Sequence, residues 1–234
     1  YALLGYVMIA VCRLSSRSIA IIAGILLLQP LEWGQIIIAL LDPAFVINAQ
    51  LDAPYWEIVN TVQKEGSFIE LCKTALWTGN IANMGWMLLH GRVTQTAGLF
   101  MVGILIGRSN LFHYTEQNIR FWTKVFIAVT IAFFPIYGLT AILPDFITRE
   151  ALLVPSTLLL KSLSNIAFTG ILFAGVILVY YLTKLKGVLH QLAPYGRMSL
   201  TNYLSQSLIG GFLFYNWGLG LYRYTGITVC ILIG

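Results

Sequence analysis

Long apolar runs alternate with short polar connections along this chain. The runs fall at about residues 1–12, 18–41, 68–90, 93–107, 121–143, 157–183, 198–222 and from 226 onward. They are too long and too uniformly apolar to be the alternating strands of a transmembrane barrel. Because about twenty apolar residues cross the hydrocarbon core as a helix, the pattern predicts an all-α, polytopic transmembrane helix bundle. We expect six to eight membrane segments within a single transmembrane domain, residues 1–234.

Composition strengthens this prediction and excludes several classes of protein. Apolar residues make up 58% of the chain and charged residues 10%, against about 45–50% and 25% in soluble domains. We therefore expect the lipid bilayer as a partner. The net charge of +5 is spread over short loops, which argues against a nucleic-acid partner. Cys12, Cys72 and Cys230 are odd in number and far apart, so neither a disulfide framework nor a metal site is predicted.

Loop charge predicts which side of the membrane each connection faces. Arg13 and Arg17 follow the first run, whereas residues 42–67 carry mostly acids. The positive-inside rule places the first loop inside and the 42–67 segment outside, as an extramembrane or interfacial segment. The basic 108–124 segment obeys the rule only if residues 68–107 cross once, while hydropathy allows two crossings. One crossing and two crossings both stay open.

The stretch "GRMSLTNYLSQSLIGG" places polar side chains on an apolar helix. Ser199, Asn202 and Gln206 recur at spacings of three and four residues and so share one helical face. An amide without a partner in hydrocarbon costs several kcal/mol, so this face should meet neighbouring helices or a wet cavity. These residues are predicted either to bond neighbouring helices or to bind substrate, with Arg197 attracting phosphate at the cytoplasmic mouth.

Glu32 is the most anomalous charge, because it lies inside "ILLLQPLEWGQIIIALL" two residues after Pro30. An intramembrane carboxylate is a functional candidate by default, and Pro30 frees a backbone carbonyl that can kink the helix. The alternative is a shallow or protonated Glu32 that is only hydrogen-bonded. A reaction that removes a proton commonly needs a base with a pKa near neutrality. Glu32, His113 and His190 are therefore the weak catalytic candidates; His90, at the other end of the Gly-rich helix from His113, is considered with them.

Two further patterns predict packing rather than chemistry. Gly103 and Gly107 form a Gly-xxx-Gly pair, which is typical of close helix packing. Lys161, Ser162, Ser164 and Asn165 open the sixth apolar run. We expect them at a helix end, with a cavity wall as the alternative.

The last third of the chain carries a family resemblance. The stretch "APYGRMSLTNYLSQSLIGGFLFYNWGLGLY" resembles the C-terminal signature of the YeiB-like family of bacterial multi-pass membrane proteins. The positions that match in place are Gly196, Arg197, Met198, Leu200, Thr201, Asn202, Tyr203, Leu204, Gln206, Ser207, Phe214, Tyr215, Gly218, Leu219 and Gly220. The segments "YALLGYVMIAVCRLSSRSI" and "GLFMVGILIGR" resemble the family more weakly. A signature helix over residues 196–222 is therefore predicted.

The family's opening helices have no counterpart here, so we expect N-terminal helices to be missing from this chain. The resemblance also implies a function, because the YeiB-like family is similar to membrane acyltransferases such as heparan-α-glucosaminide N-acetyltransferase. It implies a protein of the bacterial cytoplasmic membrane that moves an acyl group from acetyl-CoA or another acyl-CoA to a small-molecule, sugar or lipid acceptor. Whether the chain is an enzyme stays open, since a transporter of a small polar or amphipathic solute is the alternative. The oligomeric state is also open.

Overall fold

The described residues of the computed structural model are 2–47, 51–221, 224 and 226; they form helices and contain no strand. This confirms the all-α prediction. The helices are, in order, α1 (Ala2–Val11), α2 (Ser16–Leu27), α3 (Pro30–Leu41), α4 (Ala53–Glu65), α5 (Phe68–Leu76), α6 (Thr78–Leu89), α7 (Arg92–Arg108), α8 (Glu116–Phe146), α9 (Glu150–Leu182), α10 (Lys186–Gln191), α11 (Ala193–Arg197) and α12 (Ser199–Phe214).

Within the described residues, two helices are long and apolar enough to cross a membrane. They are α8 and α9, of 31 and 33 residues. The pair α2 and α3 makes a third if it counts as one span bent by 45°. These helices indicate a membrane protein, but the six to eight predicted segments are not confirmed. Several apolar runs form helices that are too short to cross a membrane. The α1 helix has 10 residues, and the 68–90 run divides at Trp77 into α5 and α6, of 9 and 12 residues.

The chain divides into two compact units. Unit 1 consists of Tyr1–Ala49 and Met87–Lys186, and unit 2 of Gln50–Trp86 and Gly187–Gly234. In unit 1, α8 packs along α9, α2 packs against α7, and α3 packs against α9. The predicted extramembrane or interfacial segment 42–67 contains α4. Its place relative to a membrane stays a prediction, as does the single transmembrane domain.

Two arginines tie helix ends together in unit 1. Arg108, the last residue of α7, donates to the backbone oxygens of Cys12 and Leu14 at 2.5 and 3.0 Å. Arg149, between α8 and α9, donates to the backbone oxygens of Ala39 and Asp42 at 2.5 and 2.9 Å. The last carbonyls of a helix have no intrahelical partner, so each guanidinium satisfies the end of a helix that is distant in sequence.

Unit 2 is held by caps and ring contacts. Ser67 and Glu70 form a capping box at the start of α5. Hydrogen bonds from the backbone and the hydroxyl of Ser67 lower the pKa of the exposed Glu70 carboxyl. The backbone N–H of Asn216 donates to the oxygen of Gln63 at 3.3 Å, and the rings of Phe68 and Trp217 lie 4.9 Å apart.

The signature segment differs from the prediction of one helix over residues 196–222. The α11 helix ends at Arg197, α12 begins at Ser199, and α12 ends at Phe214. Beyond that point the chain folds back, and the N–H of Leu219 donates to the oxygen of Phe212 at 2.8 Å. A side chain at Gly218 would overlap the Phe212 carbonyl. The glycines that carry part of the family resemblance therefore form a turn after α12.

The close approach of α2 and α7 depends on a glycine outside the predicted pair. An added Cβ at Gly98 would lie 2.7 Å from Cδ2 of Leu27. At Gly103 and at Gly107, an added Cβ meets no described atom within 4 Å. The Gly-xxx-Gly pair therefore marks no helix contact within the described part of this chain.

Replacing Gly98 by alanine should separate α2 from α7. We expect Gly98→Ala to lower the free energy of unfolding by about 1–3 kcal/mol relative to Gly107→Ala, because overpacking forces side chains and backbone to shift. Gly98 lies in the interior of α7 and Gly107 in its last turn, so alanine gains at least as much helix propensity at Gly98, and a lower stability of Gly98→Ala must come from the overlap. Unfolding by sodium dodecyl sulfate in mixed micelles measures it, and equal stability of the two variants would contradict this packing.

Candidate functional site

A break between two helices builds the polar site of unit 1. The α2 helix ends at Leu27 and α3 begins at Pro30, with Gln29 in the left-handed region at φ 58° and ψ 63°. A left-handed conformation costs a residue other than glycine about 1–2 kcal/mol. Gln29 is nevertheless 0% exposed. Its side chain must therefore find partners that offset both the backbone conformation and the burial.

The amide nitrogen of Gln29 is a donor shared by three acceptors. With the side-chain amide turned so that its nitrogen faces these acceptors, the orientation that their hydrogen-bonding capacity requires, the nitrogen lies 2.9 Å from Oγ1 of Thr94, 3.2 Å from Oε2 of Glu32 and 3.1 Å from the backbone oxygen of Gly91. In the opposite orientation the Thr94 hydroxyl would donate to Oε1 of Gln29 at 2.9 Å, and Glu32 would have no donor from Gln29. The Thr94 hydroxyl donates to that same Gly91 oxygen at 2.8 Å, which leaves Oγ1 able to accept. We call Gln29, Glu32, Gly91 and Thr94 the carboxylate cluster. It gives the Glu32 side chain, 2% exposed, a donor inside the protein.

Gly91 lets this carboxylate approach the start of α7. Its φ is +62°, a conformation that glycine adopts without penalty. An added Cβ would overlap Oε1 of Glu32 and lie 2.9 Å from its Cδ. The Glu32 carboxylate thus packs directly on the backbone of Gly91, at the N-terminus of α7, where negative charge is favourable.

A second row of hydrogen bonds joins α7 to α9. Nη1 of Arg92 donates to Oε1 of Gln95 at 2.9 Å, and Nε2 of Gln95 donates to the backbone oxygen of Ser162 at 3.1 Å. Gln95 and Ser162 are both buried, at 4% exposure each. Because a buried unpaired polar group costs about 1–3 kcal/mol, this row fixes the orientation of Arg92 relative to α9.

A cavity of about 350 Å³ with several polar residues in its wall lies beside these rows, between α7, α8 and α9. It is lined by His90, Arg92, Tyr137, Thr140, Leu158, Lys161, Ser162, Ser164 and Asn165. Arg92 and Lys161 bring positive charge, and the described lining residues include no acid. The exposed Lys161 and Asn165 leave the cavity open on their side. Its charge and hydroxyl donors suit an anion with polar substituents.

The structure separates the residues predicted from the sequence. Glu32 is buried, as expected of a candidate, but is not among the described residues that line the cavity. His113 and His190 are exposed, whereas His90 lines the cavity. Lys161 and its polar neighbours lie in the middle of α9, since α9 begins at Glu150. The predicted helix-end position is therefore wrong, and the cavity-wall alternative describes them.

The amide face of the signature segment lies in unit 2 and points outward. Arg197, Ser199 and Gln206 are exposed, and the half-buried Asn202 donates to the backbone oxygen of Tyr195 at 3.3 Å. This bond is local, seven residues back along the chain. The predicted burial of this face therefore differs from the structure, while its role in substrate binding stays a prediction.

Thr94, Gln95 and Arg92 are the site residues that sequence reasoning missed. They lie in "HGRVTQTAGLF", where polar residues alternate with small ones and no catalytic motif appears. The signal in the sequence was a glycine, Gly91, with polar residues three and four positions after it, Thr94 and Gln95. That spacing places Thr94 and Gln95 one turn into α7, beside a glycine that allows a left-handed turn.

Replacing Gly91 by alanine should break the carboxylate cluster. We expect Gly91→Ala to lower the free energy of unfolding by about 2–5 kcal/mol, because a left-handed alanine and an overlap with Glu32 both add cost. In the double variant Gly91→Ala/Glu32→Ala the overlap with Glu32 disappears, while the added Cβ still lies 2.5 Å from the side-chain amide of Gln29. The double variant should therefore lose less stability than the sum of the losses of the two single variants. Unfolding in mixed micelles measures this cycle, and strict additivity would exclude direct packing of Glu32 on Gly91.

Comparison with known proteins gives the chain a family. It is 45% identical over 47 residues to the uncharacterized protein YxaH of Bacillus subtilis (strain 168), a region that covers 20% of this chain and only 12% of that relative. No solved structure matches. The family described as "Protein of unknown function (DUF418)" matches residues 106–234, more than half of the chain and all of its signature segment. The chain therefore belongs to the DUF418 family, a YeiB-like family.

Proposed function

We propose that this chain carries the membrane part of an acyltransferase. The acyl group would pass from an acyl-CoA donor, such as acetyl-CoA, to a small-molecule, sugar or lipid acceptor. The observation that carries the proposal is the cavity of unit 1, where His90, Arg92 and Lys161 meet. A neutral histidine can accept a proton at physiological pH, and two cations can hold a phosphorylated donor.

The chemistry requires one base and one site for negative charge. The acceptor's hydroxyl or amine attacks the carbonyl carbon of the thioester, forming a C–O or C–N bond while the C–S bond breaks. His90 takes the acceptor's proton and returns it to the departing thiolate, so that free thiol is released. The oxyanion that develops on the carbonyl would be stabilised by donors placed in advance, and the cavity wall offers the hydroxyls of Ser162 and Ser164 and the positive charge of Arg92 for this.

The carboxylate cluster lies next to the cavity and, in this proposal, fixes the backbone that carries two of the cavity residues. Glu32 packs on Gly91, and Gly91 is the residue between His90 and Arg92. Fixing Gly91 therefore fixes the backbone from which both cavity side chains extend. In this proposal Glu32 is a positioning residue, and the exposed His113 and His190 have no role in the reaction.

The signature segment supplies further proposed contacts. Arg197, Ser199, Asn202 and Gln206 remain proposed substrate-binding residues, because exposed amide, hydroxyl and guanidinium groups suit a sugar or a phosphorylated acceptor. We also propose that the complete protein is multi-pass, with six to eight membrane segments in this chain, in the bacterial cytoplasmic membrane. The two or three candidate spans and the basic first loop are consistent with that.

Removing the imidazole of His90 should abolish acyl transfer. We expect His90→Gln to lower the rate of thiol release from acetyl-CoA by about 10²–10⁴-fold, the usual contribution of a general base. The chain would be reconstituted in proteoliposomes prepared with a bacterial lipid extract as the source of acceptor, and thiol release would be followed with a chromogenic disulfide.

His113→Gln is the matched control, because it makes the same substitution at an exposed histidine. Its rate should stay within about twofold of the unmodified chain, since it removes no cavity group. Equal rates for His90→Gln and His113→Gln would overturn the assignment of His90. Thiol release that is absent from the unmodified chain with every lipid extract would overturn the proposed function.

Transport is the second proposed function, and the break between α2 and α3 favours it. Transporters often bind solutes where membrane helices are interrupted, and here the interruption carries buried Gln29 and Glu32 beside the cavity. The two proposals differ in access. A transporter exposes its cavity alternately to both sides of the membrane, whereas a donor-binding cavity opens to the side of the donor.

Cysteine labelling should separate the two functions. In a variant whose own cysteines are replaced by alanine, Asn165→Cys places one exposed thiol at the open side of the cavity. For acyl transfer, we expect a membrane-impermeant maleimide to label it from one side of sealed vesicles only. Ser109→Cys, exposed after α7, is the control for vesicle sidedness. Labelling of the cavity cysteine from both sides would favour transport.

A further inference from the structure

An apolar groove runs between α1 and α7 in unit 1. It has a volume of about 520 Å³, within the range of ligand-binding sites. Its lining residues are Gly5, Met8, Ile9, Cys12, Leu99, Phe100, Gly103 and Ile104. Gly5 on α1 and Gly103 on α7 face open space, since an added Cβ at either position meets no described atom within 4 Å. The missing side chains of these two glycines give the groove its depth.

Positive charge collects at one end of this groove. Cys12 lines it, Arg13 follows Cys12 along the chain, and the guanidinium of Arg108 donates to the Cys12 carbonyl. Arg17 lies in the first turn of α2, next to Ser16, whose hydroxyl accepts from Arg108 at 3.3 Å. Residues 2–31 and 92–115 contain no Asp or Glu. Nothing in these segments therefore neutralises the three arginines.

Arg108 has donors to spare for a ligand. An arginine presents five N–H groups, and its bonds to Cys12, Leu14 and Ser16 use three of them. Arg13, Arg17 and Arg108 are all exposed. A phosphate at this place could accept from the spare donors of Arg108 without displacing the contacts that tie α7 to the end of α1. Arg13 and Arg17 belong to the same stretch of chain that Arg108 contacts.

We infer that the groove binds one anionic phospholipid. Its acyl chain lies over Gly5 and Gly103, and its phosphate lies at Arg13, Arg17 and Arg108. The occupant follows from the combination of an apolar channel with a cationic end, which matches the two parts of such a lipid. A transmembrane helix from a second copy would fill the channel but would leave the three arginines without an anion.

The test measures lipid retained by the chain. Delipidated protein in detergent would be incubated with phosphatidylglycerol or with phosphatidylcholine, and bound lipid counted by native mass spectrometry. We expect phosphatidylglycerol to be preferred by about tenfold or more. The double variant Arg13→Gln/Arg17→Gln should lower that preference by about tenfold or more. Each arginine near a phosphate contributes about 1 kcal/mol, which is about fivefold in affinity.

Gly103→Leu fills the channel, and Gly107→Leu is its matched control. Both positions lie in α7 with open space around them, but only Gly103 lines the groove. We expect Gly103→Leu to lower bound phosphatidylglycerol by about tenfold and Gly107→Leu to leave it unchanged, with equal thermal stability of the two. Equal losses for both variants, or equal binding of the two lipids, would overturn the proposal. So would a dimer that Gly103→Leu dissociates, which would identify a second copy as the occupant.

Discussion

One shared hydrogen-bond donor, the amide nitrogen of Gln29, is the interaction on which the rest of unit 1 depends. It lies within reach of Glu32, Thr94 and the Gly91 carbonyl. Without it, a carboxyl group only 2% exposed would lose that donor, and leaving a buried polar group unsatisfied costs about 1–3 kcal/mol. The same nitrogen makes the left-handed backbone of Gln29 tolerable, because one side chain offsets the strain of its own residue. The break between α2 and α3 is therefore joined to the start of α7 by hydrogen bonds of a single side chain.

This coupling explains why the cavity and the carboxylate lie side by side without sharing atoms. Gly91 is in contact with Glu32 on one side and is covalently joined to His90 and Arg92 on the other. Arg92 is then held by Gln95, and Gln95 by the backbone of Ser162. A change in the position of Glu32 would reach α9 through three contacts. A site of this construction is preorganised from both ends, as binding and catalytic sites require.

The sequence predicted the elements better than it predicted their partners. The apolar runs identified helical segments because hydropathy is local, and Glu32 stood out because a charge among leucines and isoleucines is rare. Gly91, on which Glu32 packs, and Thr94, which bonds the same Gln29 amide as Glu32, are about sixty residues away, and no local pattern encodes that distance. The start of α9 was misplaced for a similar reason: α9 begins at Glu150, seven residues before the apolar run at 157, and runs through Pro155, which is fully buried. The exposure of Gln206 was not predicted, because a polar helical face shows only that its side chains need hydrogen-bond partners. It does not show whether those partners are other helices or water.

The hydrogen bonds of Arg108 and Arg149 fix the two ends of the α2–α3 pair and so define the distance that the pair spans. Arg108 holds the chain just before α2, and Arg149 holds the end of α3. The two helices contain 12 residues each, which at 1.5 Å per residue gives a path of about 36 Å. The hydrocarbon core of a bilayer is about 30 Å thick, so both guanidinium groups reach the headgroup layers when the pair crosses as one span. Because both ends are tied to other helices, a thinner bilayer would tilt unit 1 as a block rather than straighten its bend, so the geometry of the carboxylate cluster at the bend is shielded from changes in membrane thickness.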